Sequence, residues 1–294
     1  MTSTIPPQHI RVDPPQSTEG QRRIPAGWLL NLVLSVIGIS MFLPLFWIIV
    51  TSVTSPTEAF SLPPKWIPIE FYADNYVQAF DLIPFGQQIL NSIKVTAIVV
   101  LGQLVTSALA GYAFARMRFP GRDALFIVFL TALMIPSQVT VIPIFILMRT
   151  LGLIDTHVAL WLPALLSVFG IFFLRQHFLS IPLELEEAAK IDGAGYWRIL
   201  FRMYLPLSAP VLSALAIFSA LATWNDFFWP NIMITSPEKM TIPVGLVYLQ
   251  AGLQGAPASV VFAAICVVML PLLVLYLVAQ EKITQGIALT GISR

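Results

Sequence analysis

Charged residues punctuate this chain rarely and in clusters. Residues 24–57, 95–115, 124–148, 156–174, 203–225 and 240–280 contain no Asp, Glu, Lys or Arg. A bilayer-crossing helix needs about 20 apolar residues, so each run is long enough for one crossing, and the last has room for a loop first. The pattern predicts helices over 26–50, 89–115, 124–148, 158–178, 207–230 and 258–279. External loops are then expected near 51–88, 149–157 and 231–257, and internal ones near 116–123 and 179–206.

Composition sharpens this picture. Of 294 residues, 57% are hydrophobic and 11% charged, against roughly 25% charged in an average soluble domain. A water-soluble globule is therefore excluded. The net charge of +1 also excludes a general nucleic-acid binder, which needs a concentrated basic face. Residues 1–25 carry Pro6, Pro7, Pro14, Pro15 and Pro25 among polar neighbours, the composition of a disordered tail. The apolar run that follows is too long for a signal-peptide core, which makes it a retained anchor.

With the N-terminus inside, the internal segments hold Arg11, Arg22, Arg23, Arg116, Arg118, Arg122, Arg175, Lys190, Arg198, Arg202, Lys282 and Arg294, and only Lys65, Lys94, Arg149 and Lys239 fall outside. This bias sets both termini on the cytoplasmic side. Cys266, alone of its kind, forms no intrachain disulfide and reads as a small buried hydrophobe.

The internal loop 179–206 is longer than a turn between two crossings requires. Ser180 is placed to cap a helix that opens with Pro182, Glu184, Glu186 and Glu187, a composition suited to the positive end of the helix dipole. Gly193 and Gly195 interrupt, and a second helix runs from Tyr196 to a stop at Pro206. On that second piece Trp197, Phe201 and Tyr204 share one side at helical spacing, with Arg198 and Arg202 on another. Pattern alone leaves two readings open, an amphipathic segment lying in lipid headgroups or a surface for a cytoplasmic partner.

A resemblance separates them. Glu187-Ala188-Ala189, then Gly193 after three residues, then Leu205-Pro206, is similar to the EAA loop of ABC-transporter permeases, departing from it only at Met203, where isoleucine is usual. Around it, Asn91-Ser92, Ala110-Gly111-Tyr112-Ala113 with Arg116, Phe119-Pro120-Gly121, Trp224-Asn225-Asp226-Phe227, Ile242-Pro243-Val244-Gly245-Leu246, and Gln280 with Gly286 resemble, in order and spacing, the carbohydrate-uptake branch that includes the maltose-transporter permease. The resemblance implies an all-α integral membrane protein with six transmembrane helices of the type I ABC importer permease fold over 26–280, followed by a cytoplasmic tail at 281–294. It further implies that Glu187, Ala188, Ala189, Asp192 and Gly193 dock an ATP-binding subunit. The implied assembly holds a second homologous permease, two ATP-binding subunits carrying ATP and magnesium, and an extracytoplasmic solute-binding protein. It sits in a bacterial cytoplasmic membrane and imports a sugar, oligosaccharide or glycerol phosphate.

Trp224, Asn225 and Asp226 are candidates for the translocation pathway. Asp226 is either a cavity-lining carboxylate or a hydrated helix-end group at the interface. Pro136 and Pro143 are expected to bend the third crossing, and Ser107, Gly111 and Ala115 recur every four residues in a spacing that permits close helix contact. No metal site is expected of His9, His157 and His177, which lie in the tail and at opposite ends of the fourth crossing. No glycine-rich phosphate loop is present, so the chain is read as a transport subunit without catalytic residues, cofactor or ATPase site of its own. The alternatives are an ion-coupled secondary transporter using Asp226, and a membrane-embedded enzyme for which no nucleophile or metal-ligand motif speaks.

Overall fold

The computed structural model of the protein describes residues 27–59, 61, 66–251 and 255–291; the expected tail at 1–25 lies outside them. The chain divides into two units, Met1–Leu45 and Phe46–Arg294. Helix α1 (Gly27–Ser52) supplies the described part of the first and the start of the second. Among the described residues all regular structure is helical. Among those residues four helices are long and apolar enough to cross a membrane, Trp28–Ser52, Phe85–Arg116, Val158–Ser180 and Ala258–Leu277, and up to six spans result when each of two bent pairs counts as one.

Within the second unit, α2 (Asp74–Leu82) precedes the long α3 (Phe85–Arg116). The third crossing is divided into α4 (Arg122–Thr131) and α5 (Val141–Thr150), and the fourth into α6 (Val158–Trp161) and α7 (Val168–Ser180). The internal loop forms α8 (Leu183–Ile191), α9 (Tyr196–Ile199), a π turn over Leu200–Tyr204 and the short α10 (Leu205–Leu207). Then come α11 (Ala209–Trp224), α12 (Phe228–Met233), α13 (Ile242–Ala251) and α14 (Ala258–Gly291). The last runs beyond its expected end at residue 279.

Helix α3 is the axis on which α7 and α11 pack, and small residues set how closely. A Cβ on Gly111 would meet the Arg175 amide nitrogen and Leu174 Cβ at 3.2 Å, and one on Gly170 would collide with Ser107 Oγ. The Ser107-Gly111 spacing thus lies at the α3–α7 crossing, where helix backbones come together only without side-chain bulk. Between α6 and α7 the helix is broken where Leu166 and Ser167 are extended, which frees the preceding carbonyls, and a lipid environment cannot satisfy these. Side chains of α3 cover them: Gln103 Nε2 donates to the Ala164 carbonyl at 2.9 Å and Thr106 Oγ1 to that of Leu165 at 2.8 Å.

The bends follow the prolines unevenly. Pro136 stands between segments Arg122–Met134 and Ser137–Thr150, which meet at 93°; Ile135 before it is extended, as a residue preceding proline prefers. Pro143, expected to bend the same crossing, falls in the first turn of α5, where no intrahelical donor is needed, and causes no second break. Pro206 also fails to stop its helix. The Leu205 amide reaches back to the Leu200 carbonyl through the widened π turn, which relieves the clash proline makes with the preceding turn. The chain turns at Ser208 instead, where segments Tyr196–Leu207 and Ala209–Trp224 meet at 77°.

Candidate functional site

Helix α8 opens after Pro182, with Glu184 and Glu186 in its first turn and Lys190 in its last, each charge at the favourable end of the dipole. Ser180 does not cap it; its hydroxyl donates back to the His177 carbonyl at 2.7 Å and belongs to the end of α7. At the far end the Gly193 amide donates to the Lys190 carbonyl at 3.0 Å and the Ala194 amide to that of Ala189 at 2.9 Å. This is a Schellman closure, and Gly193 takes the left-handed φ of +77° that it requires.

One side of α8 faces the protein and the other does not. Glu186 is 1% exposed and Ala189 packs against the core of Tyr112, Leu174, Phe178, Leu200 and Tyr204. Leu183, Leu185, Glu187, Ala188, Asp192 and Gly193 are exposed, and Ile191 is 86% exposed. Of the five residues singled out for docking, four therefore share an open surface and Ala189 is half-buried beneath it. On the second helix of the loop, Trp197 and Phe201 form a stacked, exposed pair 6.1 Å apart. Tyr204, expected beside them, is fully buried. The π turn at Leu200–Tyr204 inserts a residue into the helical count and turns Tyr204 away from that pair, in line with the buried Leu200.

Beneath this surface lies a charged cluster to which the sequence pattern drew no attention. Glu186 Oε2 accepts from Tyr204 Oη at 2.7 Å, Oε1 pairs with Lys190 Nζ at 2.7 Å, and Arg116 Nε stands 3.8 Å from Oε2. The Arg116 guanidinium also donates to the Phe178 carbonyl at 2.7 Å and to the Ile181 carbonyl. It closes α3 onto the end of α7, where unpaired carbonyls carry partial negative charge. The Glu186/Lys190 spacing of four was a usable signal; the Arg116 and Tyr204 partners, distant in sequence, were not.

Trp224, Asn225 and Asp226 do not form one site. Helix α11 ends at Trp224, short of the expected 230: Asn225 Nδ2 donates to the Leu221 carbonyl at 2.8 Å, and Asp226 Oδ1 draws the Phe228 and Trp229 amides to itself at 3.0 and 3.4 Å. Asp226 is thus a helix-end carboxylate, and it also lines a cavity of about 160 Å³ with Ser92, Thr223, Trp229 and Thr241. Trp224 faces away from that cavity into an apolar groove of about 420 Å³ between α3, α11 and α14, and Asn225 is exposed.

At the end of the molecule opposite α8, two of the short motifs meet. Asn91 Nδ2 donates to the Glu238 and Met240 carbonyls at 2.8 and 3.0 Å, and Ser92 Oγ accepts the Ile242 amide at 2.8 Å. Gly245 lies so close to Gln88 that a Cβ there would collide with the amide oxygen. Asp155, at φ 60°, receives the Thr235 and Ser236 amides, Ser236 Oγ and Lys239 Nζ, all within 2.9 Å. Burial opposes the charge on Asp155, but hydrogen bonds from Lys239, Ser236 and Thr235 outweigh it and hold the carboxyl well below the usual carboxylate range.

With this geometry in view, residues 103–288 match the family described as binding-protein-dependent transport system inner membrane component. The arabinooligosaccharides transport system permease protein AraQ of Halalkalibacterium halodurans is 32% identical over 268 residues, covering 90% of this chain and 96% of that one. The diacetylchitobiose uptake system permease protein NgcG of Streptomyces coelicolor is 32% identical over 251 residues, covering 84% and 83%. In fold, a chain of a bacterial ABC transporter involved in the import of the acidic polysaccharide alginate superposes with a TM-score of 0.79 at 24% identity, covering 87% of this chain and 96% of that one.

Proposed function

We propose, from the premise that this chain belongs to the family of binding-protein-dependent transport system inner membrane components, that its cargo is a carbohydrate and that α8 is its seat on an ATP-binding subunit. Relatives named for arabinooligosaccharide transport and diacetylchitobiose uptake support an oligosaccharide as the first solute to test. The observation that carries the docking reading is the open face of α8. A short helix anchored by Glu186 presents Leu183, Glu187, Ala188 and the nearly bare Ile191 outward, an apolar patch with a polar rim that water alone does not favour.

In this reading the chain lies in a bacterial cytoplasmic membrane with α8 on the cytoplasmic side. It pairs with a second permease and receives solute from an extracytoplasmic binding protein. ATP is bound with magnesium and hydrolysed on the two partner subunits, and this chain contributes the conduit and the lever. Closure of the ATP-binding subunits draws the docked helices together and shifts the permeases between inward-open and outward-open states. Asp226 belongs to the solute path through its cavity, whereas Trp224 serves packing or a helix neighbour.

The test is purification of the tagged chain from its native membranes in mild detergent, with mass spectrometry of what accompanies it. A second permease and an ATP-binding subunit are expected. Recovery of the chain alone in several detergents, together with uptake that collapses with the proton gradient while ATP is maintained, would refute this reading in favour of an ion-coupled carrier.

A further inference from the structure

We infer that Glu186, the buried neighbour of the exposed Glu187, is the positioning residue that makes α8 move as one body with the end of α3 and with the Tyr196–Leu207 segment. The inference rests on the docking reading of α8. A carboxylate 1% exposed is costly to bury and is kept there only by close partners. Packing alone would be served as well by an apolar side chain of the same volume, so a group of this kind contributes geometry more than stability.

The partners of Glu186 come from the elements that motion must reach. Tyr204 Oη, at 2.7 Å, belongs to the π turn that leads into α11. Arg116, with Nε 3.8 Å away and its side chain 8% exposed, is the last residue of α3, and its other nitrogen holds the Phe178 and Ile181 carbonyls at the end of α7. Lys190, at 2.7 Å, closes the cluster from within α8. Force applied to the open face of α8 therefore reaches three membrane-entering segments through one carboxylate. Exposed Glu187, one residue on, touches none of them.

The two kinds of contact are separable. The Tyr204 hydrogen bond is short and directional, whereas the Arg116 contact is ionic and tolerant of angle. Glu186→Gln keeps an acceptor for Tyr204 and removes the charge; Tyr204→Phe keeps the ring packing and the charge and removes the hydrogen bond.

The experiment uses the complex purified with its ATP-binding subunits from native membranes. Cys266 is replaced by Ala, and nitroxide labels are placed on Leu185→Cys in α8 and Arg118→Cys just beyond α3, both exposed positions. Pulsed electron–electron resonance is recorded without nucleotide and after trapping with ATP, magnesium and vanadate, alongside the rate of ATP hydrolysis.

The parent should show one distance, unchanged by trapping. Glu186→Gln and Tyr204→Phe should each retain the ATP-binding subunit and hydrolysis, yet show a second distance after trapping, because α8 follows the subunit and α3 no longer follows α8. An unchanged single distance in both variants, or a parent distance that itself shifts on trapping, overturns the inference. Loss of subunit and hydrolysis together in the variants also overturns it, by making Glu186 a general structural residue. Absence of any ATP-binding subunit from the parent preparation instead overturns the docking reading itself.

Discussion

Substitution of Gly193 separates a backbone requirement from a contact requirement in the surface proposed to dock an ATP-binding subunit. The residue adopts φ +77°, and a Cβ built there meets no atom within 4 Å, so within this chain the only cost of a side chain is conformational. A left-handed conformation costs an L-residue roughly 1–2 kcal/mol, less for Asn and more for a β-branched side chain. Two capping hydrogen bonds, Gly193 to Lys190 and Ala194 to Ala189, depend on that conformation. A penalty of about 1–2 kcal/mol changes the ordered population by roughly 5–30-fold, so Gly193→Ala should fray the last turn of α8 and misdirect Ile191 and Asp192. Recovery of ATP-binding subunit with the tagged chain should fall in the order Gly, Asn, Ala, Val, while the amount of chain inserted in the membrane stays constant. Equal recovery for all four would refute the argument. If Asn, Ala and Val were equally deficient, the glycine would be needed to make room for a partner surface, and the backbone explanation would fall.

Other outcomes can be stated from single sites. Arg116→Met should leave two carbonyls without their donor and Glu186 with Lys190 as its remaining cation, destabilising the protein by about 1–3 kcal/mol, read as a lowered unfolding midpoint in detergent; a change within experimental scatter would show that Lys190 and Tyr204 alone hold the carboxylate. Glu187→Ala, on an exposed position, should alter stability by no more than about 0.5 kcal/mol while reducing recovery of the ATP-binding subunit, and unchanged recovery would remove Glu187 from the docking surface. Gly111→Val should force α3 and α7 apart against contacts at 3.2 Å, costing about 1–3 kcal/mol in the same unfolding assay, and a stability equal to the parent's would contradict the crossing described. Because the Asp155 carboxyl is held below its ordinary value, its contribution is complete above about pH 4 and declines only as pH falls further. Amide exchange at Thr235 and Ser236, corrected for its intrinsic pH dependence, should stay protected down to that pH, and loss of protection near pH 6 would sink the clamp.

Much of the architecture is legible in one dimension because the bilayer, acting as solvent, imposes a length on every apolar run. The crossings at α3 and α14 lie where charge-free stretches place them, and the helix, glycine bend and second helix of the internal loop follow from Pro182, Gly193 and Gly195. The Ser107 and Gly111 spacing likewise announced a close helix contact. Such features depend on residues within a few turns of each other. Motif pairs such as Asn91-Ser92 with residues 238–242 also carry chemistry in the sequence, but their meeting does not follow from it.

The tertiary structure decided which of two adjacent glutamates is buried. Glu186 and Glu187 are equivalent in composition and dipole environment, and only the arrival of Arg116 and Tyr204, some 70 and 18 positions away, makes the first an internal anchor and leaves the second on the surface. It decided that a π turn rotates Tyr204 inward from Trp197 and Phe201, and that Pro136 bends its crossing while Pro143 and Pro206 do not. It also parted Asp226 from Trp224, which share a sequence motif but face different cavities. The division has one physical reason. Hydrophobic length and turn chemistry are local properties of the chain, whereas burial of a charge or the face of a ring depends on partners that only packing brings within reach.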